Sequence, residues 1–225
     1  MATYKDLVQV TRLLCGMQGT GPSSVTGAIG VEGVLVRFIQ DAYVDIQSRR
    51  EEWDFLLKDK SFTVQTGVGE YTLLNIFSVT NPDFKKYKKD SLIITDSNGH
   101  KTYLKYVERD VLEARYLNDT QQKLPTQYAI NPENNALILR PVPDGVYTVD
   151  LRYWRSPEIL SVDTQVPLLP ISFHNMIAYA AAAKMGVYLG SPEVFQEYSS
   201  KTEYMMGQLM RIGLPKKRMS QRPMV

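Results

Sequence analysis

Apolar positions along this 225-residue chain change their spacing twice. Near the start they recur every three to four residues, as on one face of a helix. Leu7, Val10 and Leu14 form such a stripe within residues 3–15, and Thr3 with Asp6 three positions on has the form of a capping box. A longer stripe runs through Val31, Val34, Leu35, Phe38, Ile39, Ala42, Ile46 and Trp53. It predicts a helix over 31–53, about 35 Å long at the usual rise.

From Ser61 the period moves toward two. Segments 61–65 and 71–74 read as strands around a turn at 67–69, and 77–80 as a third. Residues 84–90, Phe-Lys-Lys-Tyr-Lys-Lys-Asp, read as a basic-aromatic loop. Segments 91–96 and 101–107 form a hairpin through Ser97, Asn98 and Gly99, since Asn-Gly suits a tight turn. A short helix is expected over 110–117 and a strand over 128–131. The strongest strand signal spans 136–155, where two runs of β-formers flank Pro141, Pro143, Asp144 and Gly145. This reads as a hairpin. Its second run puts Tyr147, Val149, Leu151 and Tyr153 on one face, with Thr148, Asp150, Arg152 and Trp154 on the other.

After an extended connection over 160–170, helical spacing returns. A helix is expected over 171–189, its Ala180–Ala183 run small enough for close packing. Gly190 ends it, Ser191 caps the next helix, Pro192 takes the first position and Glu193 suits the dipole. That last helix runs to Ile212 on a stripe of Phe195, Tyr198, Thr202, Met205 and Leu209, and Gly213 stops it. Residues 214–225 have no period, and Pro215 and Pro223 forbid a continuous helix. They are expected to be an extended arm, disordered in the free subunit.

Composition adds constraints. Apolar residues make up 44% of the chain, enough for a sizeable core. No run approaches the roughly 20 apolar residues of a membrane helix, so no membrane partner is expected. The first residues lack the pattern of a signal peptide, and Asn118-Asp119-Thr120 is therefore discounted as a glycosylation acceptor. The single cysteine, Cys15, rules out an internal disulfide and reads as core filler in a protein made in a cytoplasm. Net charge is +2, yet Arg211, Lys216, Lys217, Arg218 and Arg222 crowd the last stretch with no acid among them. A basic tail on a mildly acidic body marks partner binding.

Candidate chemistry is sparse. His100 and His174 lack companions at metal-ligand spacing, and Glu51, Glu52 and Asp54 read as a solvated helix end. Glycines at 16, 19, 21, 27 and 30 invite comparison with a phosphate loop, but Gly-Lys-Ser/Thr and a preceding strand are missing. Segment 16–30 reads instead as a mobile loop that orders against a partner. No cofactor, metal or catalytic residue is expected. Once helices and sheet are packed, no wide uncharged apolar stripe is expected to remain, so the chain alone should be a monomer or weak oligomer.

The succession Leu124-Pro125-Thr126-Gln127-Tyr128-Ala129-Ile130, Leu137 to Arg140 with Pro141-Val142-Pro143-Asp144, Tyr147 to Trp154, Pro157 and Leu160 carries a resemblance. Leu169-Pro170 then leads into the Ala-rich helix, and Gly190-Ser191-Pro192-Glu193 into the last one. This order resembles the head-to-tail adaptor (head completion, connector) proteins of tailed bacteriophages, a broad group that includes the tail tubular protein of short-tailed phages. It covers most of residues 3–212, although segments 16–30 and 84–90 fall outside the pattern.

The resemblance implies a structural protein of the virion neck, made in the bacterial host and not an enzyme. Such adaptors form a ring, commonly of about twelve copies, beneath the portal. They meet the portal protein, a downstream tail or neck protein and one another. Genomic DNA passes through the lumen without sequence specificity. By position and character, Leu214, Lys216, Lys217, Arg218, Met219, Arg222, Met224 and Val225 would form a portal-binding arm, with the portal as template for the ring.

The expected fold is α+β: a helical bundle of N-terminal and C-terminal helices, an inserted antiparallel β-domain and an extended C-terminal arm. The expected division is 1–58 with 168–212 for the bundle, 59–167 for the β-domain and 213–225 for the arm. The alternative is a nucleic-acid-binding module using the arm and the lysines at 85–89, marked by affinity that falls steeply with salt.

Overall fold

Thr3 and Asp6 cap the first helix reciprocally: the Thr3 hydroxyl accepts from the Asp6 amide, and the Asp6 carboxylate from the Thr3 amide. In the computed structural model, which describes residues 2–80, 83–117 and 121–212, this is α1 (Tyr4–Leu14). The other helices are α2 (Gly30–Ser48), α3 (Leu73–Phe77), α4 (Arg109–Tyr116), α5 (His174–Leu189) and α6 (Pro192–Ile212). The strands are β1 (Leu57–Val64), β2 (Glu70–Tyr71), β3 (Phe84–Tyr87), β4 (Ile93–Thr95), β5 (Lys101–Tyr103), β6 (Lys105–Tyr106), β7 (Gln127–Ile130), β8 (Leu137–Arg140) and β9 (Tyr147–Arg155). The fold is α+β and divides into two units, one up to Phe55 and from Pro157 onward, the other Leu56–Ser156.

The first unit packs α1, α2 and α6 against α5. Leu35, Ile39, Ala42 and Ile46 are buried as the stripe predicts. The helix stops at Ser48, however, and not at residue 53: its 19 residues span about 28 Å. Gln47 anchors its last turn. Buried, it donates from Nε2 to the Glu158 carbonyl at 2.9 Å and accepts from the Glu158 amide at 2.9 Å. The chain then turns, and Trp53 is buried beyond the helix, with Nε1 donating to the Gln47 carbonyl at 3.0 Å. Gly190 closes α5 in the left-handed region at φ 68°, where an L side chain is strained.

The second unit holds two sheets over one shared core, with Val149, Leu151 and Tyr153 from one and Tyr128, Leu137 and Leu139 from the other. β9 is the axis of the first sheet. It pairs antiparallel with all of β1 along one edge, and on the other with β3 near its end and β4 near its start; β5 extends the sheet beyond β4. The second sheet runs β2-β8-β7-β6, and its β6–β7 pair is parallel, a departure from the wholly antiparallel expectation.

Several sequence readings are corrected here. β8 and β9 do not form a hairpin: β8 pairs with β2 and β7, β9 with β1, β3 and β4. The Pro-rich turn is a crossover between sheets. Likewise β1 and β2, expected around one turn, belong to different sheets. The strand expected at 77–80 is absent, with Phe77 ending α3 and 78–80 irregular, and α3, capped by Thr72 and Asn75, takes the second half of the strand expected at 71–74. The 84–90 loop is largely strand, with Tyr87 buried and Phe84 packed on the same core. The hairpin through Asn98 and Gly99, α4 and β7 lie where expected.

Candidate interaction surfaces

Arg12 is buried at 3% exposure on α1, a position at which the sequence pattern gave no warning. Its guanidinium pairs with Glu32 and donates to the Gln18 carbonyl at 2.7 Å. A buried cation needs such partners. Segment 16–30 wraps around it. Gly21, at φ 77°, lies so close that a β-carbon there would sit 2.7 Å from Gln9 Nε2 and 3.0 Å from Arg12 Nε. Gln9 donates to the Thr20 carbonyl and Lys5 to the Ser23 carbonyl. Asp163 Oδ1 accepts from the Ser24 hydroxyl and the Val25 amide, and Val25 is buried. The expected partner-dependent loop is thus tied to its own unit, and Gly21 in it serves close approach to Gln9 and Arg12.

Other singled-out residues are also committed internally. Cys15 is half-buried beside Ala182 and Tyr198, and burial pushes its thiol up from the ordinary value. His174 is buried, with Nε2 donating to the Leu169 carbonyl at 2.9 Å. His100 is exposed beside Asp96, whose Oδ1 accepts from the His100 and Asn98 amides at 2.8 Å each. Those bonds, the His100 amide first, hold the Asp96 carboxyl below its usual range. Among the described residues, no three His, Cys, Asp or Glu side chains gather as a metal site, and no helix is long and apolar enough to cross a membrane.

Two of the four lysines of 84–90 face rings of their own unit. Lys86 Nζ lies 5.7 Å from the Trp154 ring centre and Lys89 Nζ 3.9 Å from that of Tyr106. On the outer face of the first sheet, a mixed-charge depression of about 420 Å³ opens where β9 changes partner from β3 to β4. Asp59 pairs there with Arg152 at 2.9 Å, and Tyr103 stands 71% exposed at the rim.

Several apolar side chains of the helical unit are exposed near the α5–α6 elbow. Val187, Tyr188, Leu189 and Phe195 are all exposed there. Next to them, a cleft of about 150 Å³ lies between α2, α5 and α6. Asp45–Lys184 (2.5 Å) and Arg49–Glu203 (3.3 Å) pair along it. The arm residues Leu214, Lys216, Lys217, Arg218, Met219, Arg222, Met224 and Val225 lie outside the described residues, as do Gly213 and Asn118-Asp119-Thr120.

This is an α+β protein in which the polar residues described above serve its own fold. A family model described as SU10 adaptor protein matches residues 2–224, nearly the whole chain, and the chain belongs to that family. It is a phage adaptor, a structural protein of the virion. No curated protein matches it.

Proposed function

We propose that this adaptor forms a ring of about twelve copies below the portal, in the manner of tail tubular proteins, and joins the capsid to a downstream tail or neck protein. The DNA channel continues through its lumen without sequence-specific contacts, and the protein performs no reaction. The family match over residues 2–224 carries this reading, since fold alone does not assign function. The exposed apolar elbow of α5 and α6 supports it, because apolar patches of this kind mark interaction sites.

The segment 214–225 is proposed as the portal-docking arm, through Lys216, Lys217, Arg218 and Arg222 as cations and Leu214, Met219, Met224 and Val225 as anchors. Each arm binds weakly, and the ring makes attachment firm by multivalency. Particle images and native mass of the chain mixed with its portal test the ring. Removal of 214–225 tests the arm: loss of co-purification with the portal is expected. Undiminished portal binding by the truncated chain assigns docking to another surface.

A further inference from the structure

We propose that Lys58 and Lys60 guard the free edge of β1 against strand addition by a second copy of this chain. The backbone of β9 defines that edge. The Arg152 carbonyl accepts from the Lys88 amide at 2.8 Å, and the Arg152 amide donates to the Ser91 hydroxyl at 3.2 Å. Arg152 therefore faces the β3–β4 side. By alternation Tyr147, Val149, Leu151 and Tyr153 face β1, opposite Val64, Phe62, Lys60 and Lys58. The amides and carbonyls of Asp59, Ser61 and Thr63 then point away from β9. These groups make no hydrogen bond among the described residues, and all three residues are exposed. They leave an open ladder about 13 Å long, a template for another strand.

The other strands with an unpaired side are short. β3 has four residues and a bulge, β5 three, and β2 and β6 two each. Short edges offer little to pair with. β1 has eight residues and lacks that protection. Every copy carries the same edge, and two such edges are self-complementary in the antiparallel sense about Ser61.

The side chains of β1 supply the barrier. Phe62 and Val64 lie in the core with Val149, Leu151 and Tyr153. Lys58 and Lys60 share their face, directly opposite Tyr153 and Leu151, where alternation calls for apolar residues. Each ammonium group escapes at the rim. Lys58 Nζ reaches Asp83 at 3.3 Å, and Lys60 Nζ lies 5.9 Å from the Phe77 ring centre. The Lys58–Asp83 pair is partly exposed, and such pairs add little stability. A strand laid outside β1 would cover both stems and take the two charges out of water, which is costly. Pairing about Ser61 would also set Lys60 of each copy against Phe62 of the other. Inward-pointing charge on a long edge strand thus opposes pairing.

The test uses the full chain, each variant compared with wild type, so a ring closed through other surfaces does not change the reading. A Lys58→Thr, Lys60→Val double variant places strand formers at both positions. Its melting temperature should stay within about 2 °C of wild type or rise. Sedimentation should show self-association tighter than wild type by about tenfold or more. Thr63→Pro added to this variant should return association to the wild-type level, because proline there removes an N–H of the open edge and no ladder bond of the fold. Lys60→Glu keeps a charge at its position and should associate as wild type does. Association of the double variant equal to wild type overturns the guard, as does gained association that survives Thr63→Pro. A marked fall in melting temperature without new association makes the two lysines structural ties and overturns it as well. If the double variant does not fold, Lys60→Thr alone is held to the same outcomes.

Discussion

Gly186 on α5 touches the backbone of Phe195 on α6: a β-carbon at Gly186 would lie 2.7 Å from the Phe195 nitrogen and 3.2 Å from its α-carbon. Backbone cannot swing aside as a side-chain tip can. Gly186→Ala would gain up to about 1 kcal/mol of helix propensity. Forcing the two helices apart should cost more, about 1–3 kcal/mol net. The expected outcome is a lower melting temperature in calorimetry. A variant as stable as wild type would show that the elbow packs more loosely than this geometry.

Arg12 should be the most costly charged residue to remove from the helical unit. Arg12→Met leaves Glu32 and the Gln18 carbonyl without their cation. Breaking a buried pair costs roughly 3–5 kcal/mol, but the Glu32 side chain is 34% exposed and can regain water, so about 2–3 kcal/mol is expected. Segment 16–30 should also become more sensitive to limited proteolysis, while Glu32→Gln should do less of both. Unchanged cleavage in Arg12→Met would mean that Asp163 and Val25 hold the segment by themselves.

The features legible in the sequence were those decided by neighbours along the chain. Thr3 with Asp6, Gly190 at the end of α5, Pro192 at the start of α6 and the Asn98-Gly99 turn each carry their own local geometry, and each is found in place. Strand partners were not legible. The alternation along β9 correctly buried Val149, Leu151 and Tyr153, yet nothing in it distinguishes pairing with β8 from pairing with β1, about ninety residues earlier. Short elements also escaped, because α3 offers a single turn and tertiary packing outweighs local preference there. Trp53 continued the apolar phase of α2 although the helix had ended, since burial constrains the side chain and not the backbone that delivers it. Arg12 gave no signal because a buried, paired cation looks like any surface arginine in sequence.

The Asp83–Tyr153 contact should make stability pH-dependent at both ends. Burial pushes the Asp83 carboxyl up, but the Tyr153 hydroxyl, Lys58 and Arg155 outweigh it and hold the group below its ordinary value. Its contribution is therefore fully present above the unfolded pKa of about 4 and is lost as pH falls through the lower folded value. Burial, and donation to Asp83, push Tyr153 up to about 12. That contribution is present below about pH 10 and is lost as pH rises through the folded value. Urea midpoints measured across both ranges should show Asp83→Asn with a flatter acid limb than wild type. Superimposable acid limbs would remove Asp83 as a source.

Tyr153 and Trp154 test the central strand directly, because they point to opposite faces of β9 and yet both are buried, at 5% and 8% exposure. Tyr153 packs edge-on to Phe77 at 4.9 Å and near-parallel to Phe84 at 6.0 Å, and its hydroxyl donates to Asp83 Oδ1 at 3.0 Å. Tyr153→Ala empties that aromatic cluster and should cost about 3–5 kcal/mol. Tyr153→Phe keeps the ring contacts and loses only the bond to a partly exposed carboxylate, so about 1 kcal/mol is expected. Trp154 differs in its polar atom: Nε1 is buried without an acceptor among the described residues, while Lys86 sits over the ring. Trp154→Phe removes a donor that makes no bond, so part of the cost of lost area is offset and the loss should fall well below that of Trp154→Ala. Neither side chain is a ligand site on this account, so portal binding by the Phe variants should match wild type once both are folded. If Tyr153→Ala and Trp154→Ala both melt as wild type does, β9 is not the buried axis of its sheet.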